Sequence, residues 1–271
     1  MSDDRSPARR SGPLGEGERV LLVDRKGRRY LVRLARGASF HTHAGVVDFD
    51  ALIGGQEGMT YEARVSEDTK SGAARFLVLR PTLSDVVLKM PRGAQVVYPK
   101  DLGAIVVAAD IFPGSRVLEA GVGSGALSMA LLRAGASVVG YEVRADFAAH
   151  AQANVAAFLG GSASYRVEER DVYEGVDEEG LDRIVLDLPE PWQVVGHAES
   201  ALAPGGIICC YLPTINQTAE LRGALEASRF GMAETFEVLR RTWHVEGRSV
   251  RPDHRMVGHT GFVTTARLLL G

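Results

Sequence analysis

Two kinds of hydrophobic patterning divide the chain. Between Arg19 and Leu79 apolar residues fall in short alternating runs, Val20–Val23, Tyr30–Leu34, Gly45–Phe49, Met59–Val65 and Arg75–Leu79, separated by stretches of Gly, Asp, Ser and Lys. That spacing predicts strands of a small antiparallel barrel or sandwich, with Asp24-Arg-Lys-Gly27 as a hairpin turn. Beyond Leu102 the period changes. Helical patterns over 102–109, 125–134, 146–159 and 193–202, and another opening at Thr214-Ile-Asn-Gln217 as a capping box, alternate with strand-like runs at 137–141, 165–169, 182–188 and 207–212. Two late strand-like runs, 235–245 and 261–269, complete the count. Such alternation predicts an α/β fold, a doubly wound and largely parallel sheet. The expected organisation is a disordered tail over 1–12, a small all-β domain over 13–80, a connector with one short helix over 81–101, and the α/β domain over 102–271.

The α/β part opens on Arg116-Val-Leu-Glu-Ala-Gly-Val-Gly-Ser-Gly-Ala-Leu127, a strand running into a glycine-rich turn and then a helix. Gly121, Gly123 and Gly125 permit a tight backbone that a ligand approaches closely. Alone, this pattern is shared by dinucleotide, nucleotide and S-adenosylmethionine sites. The dinucleotide fingerprint requires a third glycine five residues after the first, and Ala126 stands there, so the spacing is GxGxG. S-adenosylmethionine carries a sulfonium cation and an amino-acid end instead of a pyrophosphate, and Glu119 at the strand's end suits that cation.

Four acids sharpen the reading. Glu119, Glu142, Asp171 and Asp187 each fall at the carboxyl end of an expected strand, where ligands bind in open α/β sheets. Glu142 has the reach for a ribose and Asp171 the position for an adenine. Asp187 leads into Leu-Pro-Glu-Pro-Trp192, a loop stiffened by two prolines, whose Trp192 offers a face on which a base stacks. Tyr98, beside Pro99 in Tyr98-Pro-Lys-Asp101, is read as a phenol on a rigid loop just ahead of the nucleotide fold.

Composition and charge narrow the partners. The chain has 45% hydrophobic and 24% charged residues and no apolar run of membrane-spanning length, and its charged N-terminus lacks the core of a secretory signal. A cytoplasmic protein with no membrane partner is expected. Cys209 and Cys210, the two cysteines, are adjacent in an apolar run and read as buried thiols without metal-ligand spacing. His41 and His43 lack a third ligand nearby, so no metal is expected. The net charge of −3 hides an asymmetry: residues 1–105 hold 17 Lys+Arg against 13 Asp+Glu, the rest 14 against 21. Arg240, Arg241, Arg248, Arg251 and Arg255 form a second basic cluster. Basic patches of this kind bind phosphates despite a negative total, which makes the N-terminal module a candidate RNA contact.

Together, Glu119-Ala-Gly-Val-Gly-Ser-Gly125, Tyr98-Pro-Lys-Asp101, Asp187-Leu-Pro-Glu-Pro-Trp192 and Gly258-His-Thr-Gly-Phe262 resemble the bacterial tRNA (adenine-N1)-methyltransferases of the TrmI family, which modify position 58 of the T-loop. The resemblance covers nearly everything after the first dozen residues. It implies a class I methyltransferase fold, S-adenosyl-L-methionine as donor, tRNA and not DNA as acceptor, and a homotetramer. It carries the family's catalytic aspartate onto Asp187, its active-site tyrosine onto Tyr98, and its cofactor positions onto Ser124, Gly125, Ala126, Leu127, Glu142 and Asp171, with Phe147 beside the adenine. Val122 replaces a frequent Thr, a harmless change if neighbouring backbone groups do the binding. The alternatives are a non-catalytic tRNA-binding subunit, for which a degraded glycine turn or a lost Asp187 would speak, and a same-fold methyltransferase acting on another acceptor, such as a different RNA base.

Overall fold

The computed structural model describes residues 11–42, 45–64, 74–90, 95–161 and 164–270. Residues 1–10 of the expected tail over 1–12, His43 and Val65 lie outside them. The chain divides into two compact units, 1–91 and 92–271.

In the first unit, β1 (Arg19–Asp24), β2 (Arg29–Arg33), β5 (Thr60–Glu62) and β6 (Arg75–Leu79) form an antiparallel sheet in the order β2-β1-β6-β5. β3 (Ser39–Thr42) and β4 (Gly45–Asp48) pair as a separate hairpin. Val20 and Leu22 of β1 and Phe76 and Val78 of β6 bury against Leu34, Val47 and Leu52; on β6 they alternate with exposed Arg75 and Leu77, whereas β1 also buries Leu21. His41 lies on β3, its Nε2 3.0 Å from the Ser39 hydroxyl. The connector helix α1 (Leu83–Lys89) starts with a complete capping box between Thr82 and Asp85.

The second unit is built on seven strands in the order β12-β15-β11-β10-β7-β8-β9. They are β7 (Arg116–Ala120), β8 (Ser137–Glu142), β9 (Tyr165–Glu169), β10 (Leu181–Leu186), β11 (Leu202–Leu212), β12 (Phe230–Glu237) and β15 (Phe262–Leu268). β15 runs antiparallel to both its neighbours, and the pairs from β11 to β9 are all parallel. The core lies along Leu118, Ile184, Leu186, Ile208 and Leu212, fully buried residues of β7, β10 and β11. Helices α2 (Pro99–Ala108), α3 (Ala126–Arg133), α4 (Ala145–Leu159), α5 (Val195–Ala201) and α6 (Ile215–Glu226) provide the connections. β7 leads through α3 to β8 on one side, while β10 lies on its other side. The loops after β7 and β10 therefore diverge and leave a crevice at the carboxyl ends.

Four boundaries differ from the sequence reading. α2 begins at Pro99, not 102, because proline is tolerated at the first helical position, where its missing N–H has no intrahelical partner. The helix expected over 193–202 is a 3-10 turn, Pro191–Val194, followed by α5, and the chain is already extended at Leu202, which pairs with Leu181 before a register shift. Thr214 caps α6 by accepting from Gln217 N, but the reciprocal half of the capping box is absent: Gln217 Oε1 accepts from the Thr214 hydroxyl at 2.6 Å and not from its main-chain N–H, while the Gln217 amide nitrogen donates to Pro189 O. The run 235–245 is broken after Glu237, and its end becomes β13 (Trp243–Glu246), paired with β14 (Ser249–Pro252) around Gly247 at φ 53°.

Candidate active site

The turn after β7 is shaped by three glycines at φ 81°, 55° and 79°. Gly121 is needed for proximity as much as conformation: a Cβ there would lie 2.1 Å from the carbonyl oxygen of Asp187. Gly125 precedes α3, and a Cβ on it would press on Ala151 of α4 at 3.2 Å, so it allows the two helices to approach. At Gly123 a Cβ would meet open space. Val122 rests on Gly140 of β8, where an added Cβ would come within 2.7 Å of its Cγ2. Asn154 of α4 donates to Ser124 O at 3.2 Å and steadies the turn.

These elements enclose a cavity of about 360 Å³, within the range of small-molecule sites. Gly121, Gly123, Ser124, Ala126 and Leu127 line one wall, Glu142 and Phe147 the next, and Asp187 with Leu188 and Pro189 the facing one. The Glu142 carboxylate accepts from Gly123 N at 2.9 Å and from Arg144 N at 3.1 Å, which fixes its orientation and leaves lone pairs free for hydroxyl donors. Asp187 follows β10 directly, and its own N–H donates to Ala120 O at 3.0 Å, so the start of the acid loop is tied to the residue before the glycine turn. Burial pushes the Asp187 carboxyl up to about 7.

Not every residue singled out above lines this cavity. Glu119 is fully buried beneath the turn, and neither carboxylate oxygen completes a hydrogen bond. Burial raises its pKa to about 8; the nearby Ser128 hydroxyl, engaged with Tyr165 at 3.0 Å, opposes that rise, and the charges of Asp187 and Glu142 add to it. Asp171 lies two residues past β9 and accepts from Tyr173 N at 2.9 Å. Gly125 serves helix packing. Tyr98 is the N-cap residue of α2, so the rigid loop expected around it leads directly into a helix; its neighbours Gln95, Val96 and Val97 line the cavity. Trp192 is partly buried against the sheet core.

Two contributions were not anticipated. Arg144 lines the cavity and lays its guanidinium 3.7 Å from the centre of the Phe147 ring. Its position two residues after Glu142, in the loop joining β8 to α4, is the sequence signal that marks it. Val96 and Val97 carry no chemistry by residue type, and only their place before Tyr98 distinguishes them. Among the described residues no group of three or more His, Cys, Asp or Glu is arranged to hold a metal.

A seven-stranded sheet with one reversed strand, a glycine turn after its first strand and an acid closing the second define a class I methyltransferase. Residues 75–251 match the family described as the tRNA methyltransferase complex GCD14 subunit, and residues 12–60 match the TrmI-like N-terminal family. The chain belongs to this GCD14/TrmI family. It is 39% identical over 92% of its length to the tRNA (adenine(58)-N(1))-methyltransferase TrmI of Thermus thermophilus, covering 96% of that protein. Among solved structures it is similar to tRNA (m1A58) methyltransferase TrmI from Aquifex aeolicus, with TM-score 0.82, 30% identity, and 96% and 100% of the two chains covered. It is also similar to a SAM-dependent O-methyltransferase from Thermotoga maritima, with TM-score 0.87, 33% identity and 95% of each chain covered.

Proposed function

We propose that the protein transfers a methyl group from S-adenosyl-L-methionine to N1 of adenine 58 in tRNA. The observation that carries the reading is the contact of the two walls: the glycine turn and Asp187 share one cavity, packed so closely that only glycine fits at 121. The cavity suits the donor. Glu142 stands where a ribose diol donates, Phe147 and Leu127 supply apolar surface, open space lies over Gly123, and the acids Glu142 and Asp187 favour a cation. Ser124 lines the cavity beside them, Glu119 lies buried beneath the turn, Gly125 lets α3 and α4 approach, and Asp171 is assigned to the adenine. When bound, the donor supplies an electrophilic methyl on a sulfonium.

Methylating the ring nitrogen of neutral adenine creates a cation. Asp187, facing the exocyclic amine, stabilises that charge as it develops or takes the amine proton as base; both roles require its carboxylate ionised. Tyr98 holds the extruded base against the acceptor side. The N-terminal unit contacts tRNA, although six of its arginines already face acids: Arg28, Arg29, Arg36, Arg64, Arg75 and Arg80. The arginines around the β13–β14 hairpin form no ion pair with a described residue and supply a further phosphate-binding surface. The homotetramer implied by the family is part of the proposal, and exposed Trp243, Val245 and Val250 on that hairpin give it apolar surface to bury. Sedimentation of the protein as a monomer would contradict the assembly.

The test of the reaction is nucleoside mass spectrometry of unmodified tRNA incubated with the protein and S-adenosylmethionine. The expected product is 1-methyladenosine, lost on tRNA altered at position 58 and strongly reduced in Asp187→Ala. A methylated hydroxyl or a different base in its place would transfer the reading to another acceptor, and no methylation at all would favour a non-catalytic tRNA-binding subunit.

A further inference from the structure

Lys100 and Asp101 are buried together at the start of α2, with Lys100 6% and Asp101 0% side-chain exposed. Lys100 Nζ spends its three protons on Asp101 Oδ1 at 2.8 Å, Val238 O at 2.7 Å and Thr260 Oγ1 at 2.5 Å. Asp101 Oδ2 in turn accepts from Thr260 Oγ1 at 2.6 Å and from the Tyr211 hydroxyl at 3.1 Å. Every polar atom of the cluster is partnered. A buried ion pair is a poor source of stability, because desolvation offsets most of its attraction, whereas fixed geometry is what such a cluster supplies well.

The geometry it fixes belongs to one side of the site. Tyr98 makes no side-chain cap bond and Pro99 has no N–H, so α2 lacks an ordinary N-terminal anchor. Instead Asp101 N and Leu102 N both donate to Tyr98 O, at 2.9 and 3.0 Å, and Asp101 is held by the cluster. The same cluster holds Thr260, in the segment before β15 where a Cβ on Gly261 would lie 2.4 Å from the Tyr211 ring. Next to it, His259 is tied to Glu237 at 2.9 Å and to Pro213 O at 2.8 Å. Tyr211 lies on β11, which pairs in parallel with β10 so that Cys210 stands opposite Leu186; Tyr211 and Asp187 are the next residues along the two chains, which places this strand beside the proposed catalytic carboxylate. None of Lys100, Asp101, Tyr211 or Thr260 lines the cofactor cavity.

We infer that Lys100, Asp101, Tyr211 and Thr260 form a positioning cluster for the acceptor side of the reaction, setting Tyr98 and the 258–261 segment against the target base without taking part in donor binding. The inference rests on the methyl-transfer reading above.

Thr260→Val removes the hydroxyl that links Lys100 to Asp101 at nearly constant volume. It is expected to lower kcat on tRNA by about 10- to 100-fold, the scale of a displaced positioning group, with the calorimetric Kd for S-adenosylmethionine unchanged. Thr260→Ser should restore the rate, and in a Tyr98→Ala background Thr260→Val should cost little more, since Tyr98 is what the cluster positions. Should the valine variant fail to fold, Tyr211→Phe, which deletes one hydrogen bond, is expected to show the same pattern at smaller size. Donor affinity falling in parallel with kcat, or effects of Tyr98→Ala and Thr260→Val that multiply, would overturn the inference while leaving an active wild type and its function intact. A wild type that makes no 1-methyladenosine overturns both.

Discussion

The two walls of the cavity are made differently. The donor wall is backbone: three left-handed glycines shape it, and its acid, Glu142, is steered by two main-chain N–H groups. The wall proposed for the acceptor is side chain: Asp187 is pushed toward neutrality by burial, and in the proposed arrangement Tyr98 is held through a polar cluster drawn from α2, β11 and the segment before β15. A wall of backbone binds one donor in one way, and few single side chains matter to it. A wall of side chains can be specific for an acceptor and is correspondingly fragile.

Gly121 is where the walls touch, so its substitution should be the most damaging. In Gly121→Ala the left-handed backbone alone costs about 1–3 kcal/mol. The new methyl also forces the Asp187 main chain away from the turn. Donor binding by calorimetry and methyl transfer are expected to fall together. An alanine variant with intact kcat would show that the walls are not coupled there.

Asp187→Asn separates the walls. It keeps the shape of the acid loop and removes the charge, so kcat is expected to drop by about 10²–10³, or 2.7–4 kcal/mol, with a much smaller change in donor affinity. Glu142→Gln should do the converse. One amide edge would face main-chain N–H groups as a donor, and lost charge-assisted hydrogen bonds of about 1.5–3 kcal/mol weaken the donor Kd by roughly ten- to a hundredfold, with kcat retained at saturating donor. Equal effects of both substitutions on both parameters would erase the distinction between the walls.

The same contrast explains what the sequence disclosed. Gly121, Gly123, Gly125 and Glu142 were legible because a tight turn restricts residue type and an acid at a strand end has a fixed distance from it. The strand-helix alternation was legible for the same reason, since period follows from burial on one face. The acceptor side was less so. Pro99 read as part of a rigid loop although it opens α2, because proline suits both a loop and the first helical position and only tertiary context separates the two. Lys100, Tyr211 and Thr260 lie up to 160 residues apart, and nothing local marks them as one cluster. The hairpin over β13 and β14 escaped notice because its residues are nearly all exposed and show no buried alternation.

The smallest expected effect is one of pH, and it sets activity against stability. Burial raises the Asp187 carboxyl to about 7 and the Glu119 carboxyl to about 8. In the proposed mechanism Asp187 acts ionised, so kcat/KM should fall as pH drops through about 7, a limb that Asp187→Asn abolishes. Stability runs the other way. A carboxyl whose pKa is raised in the folded state binds more protons folded than unfolded, so it destabilises the fold fully at pH above the folded value. That penalty is relieved as pH falls toward the ordinary carboxylate range. The Tm of the ligand-free protein should therefore climb as pH is lowered from about 9 to 6, and Glu119→Gln, which removes the deeper of the two charges without touching the cavity, should flatten that climb while keeping the activity limb in place. If the glutamine variant instead shifted the activity limb and left the Tm profile unchanged, Glu119 would belong to the acceptor chemistry, and the division between a backbone wall and a side-chain wall would fail at its base.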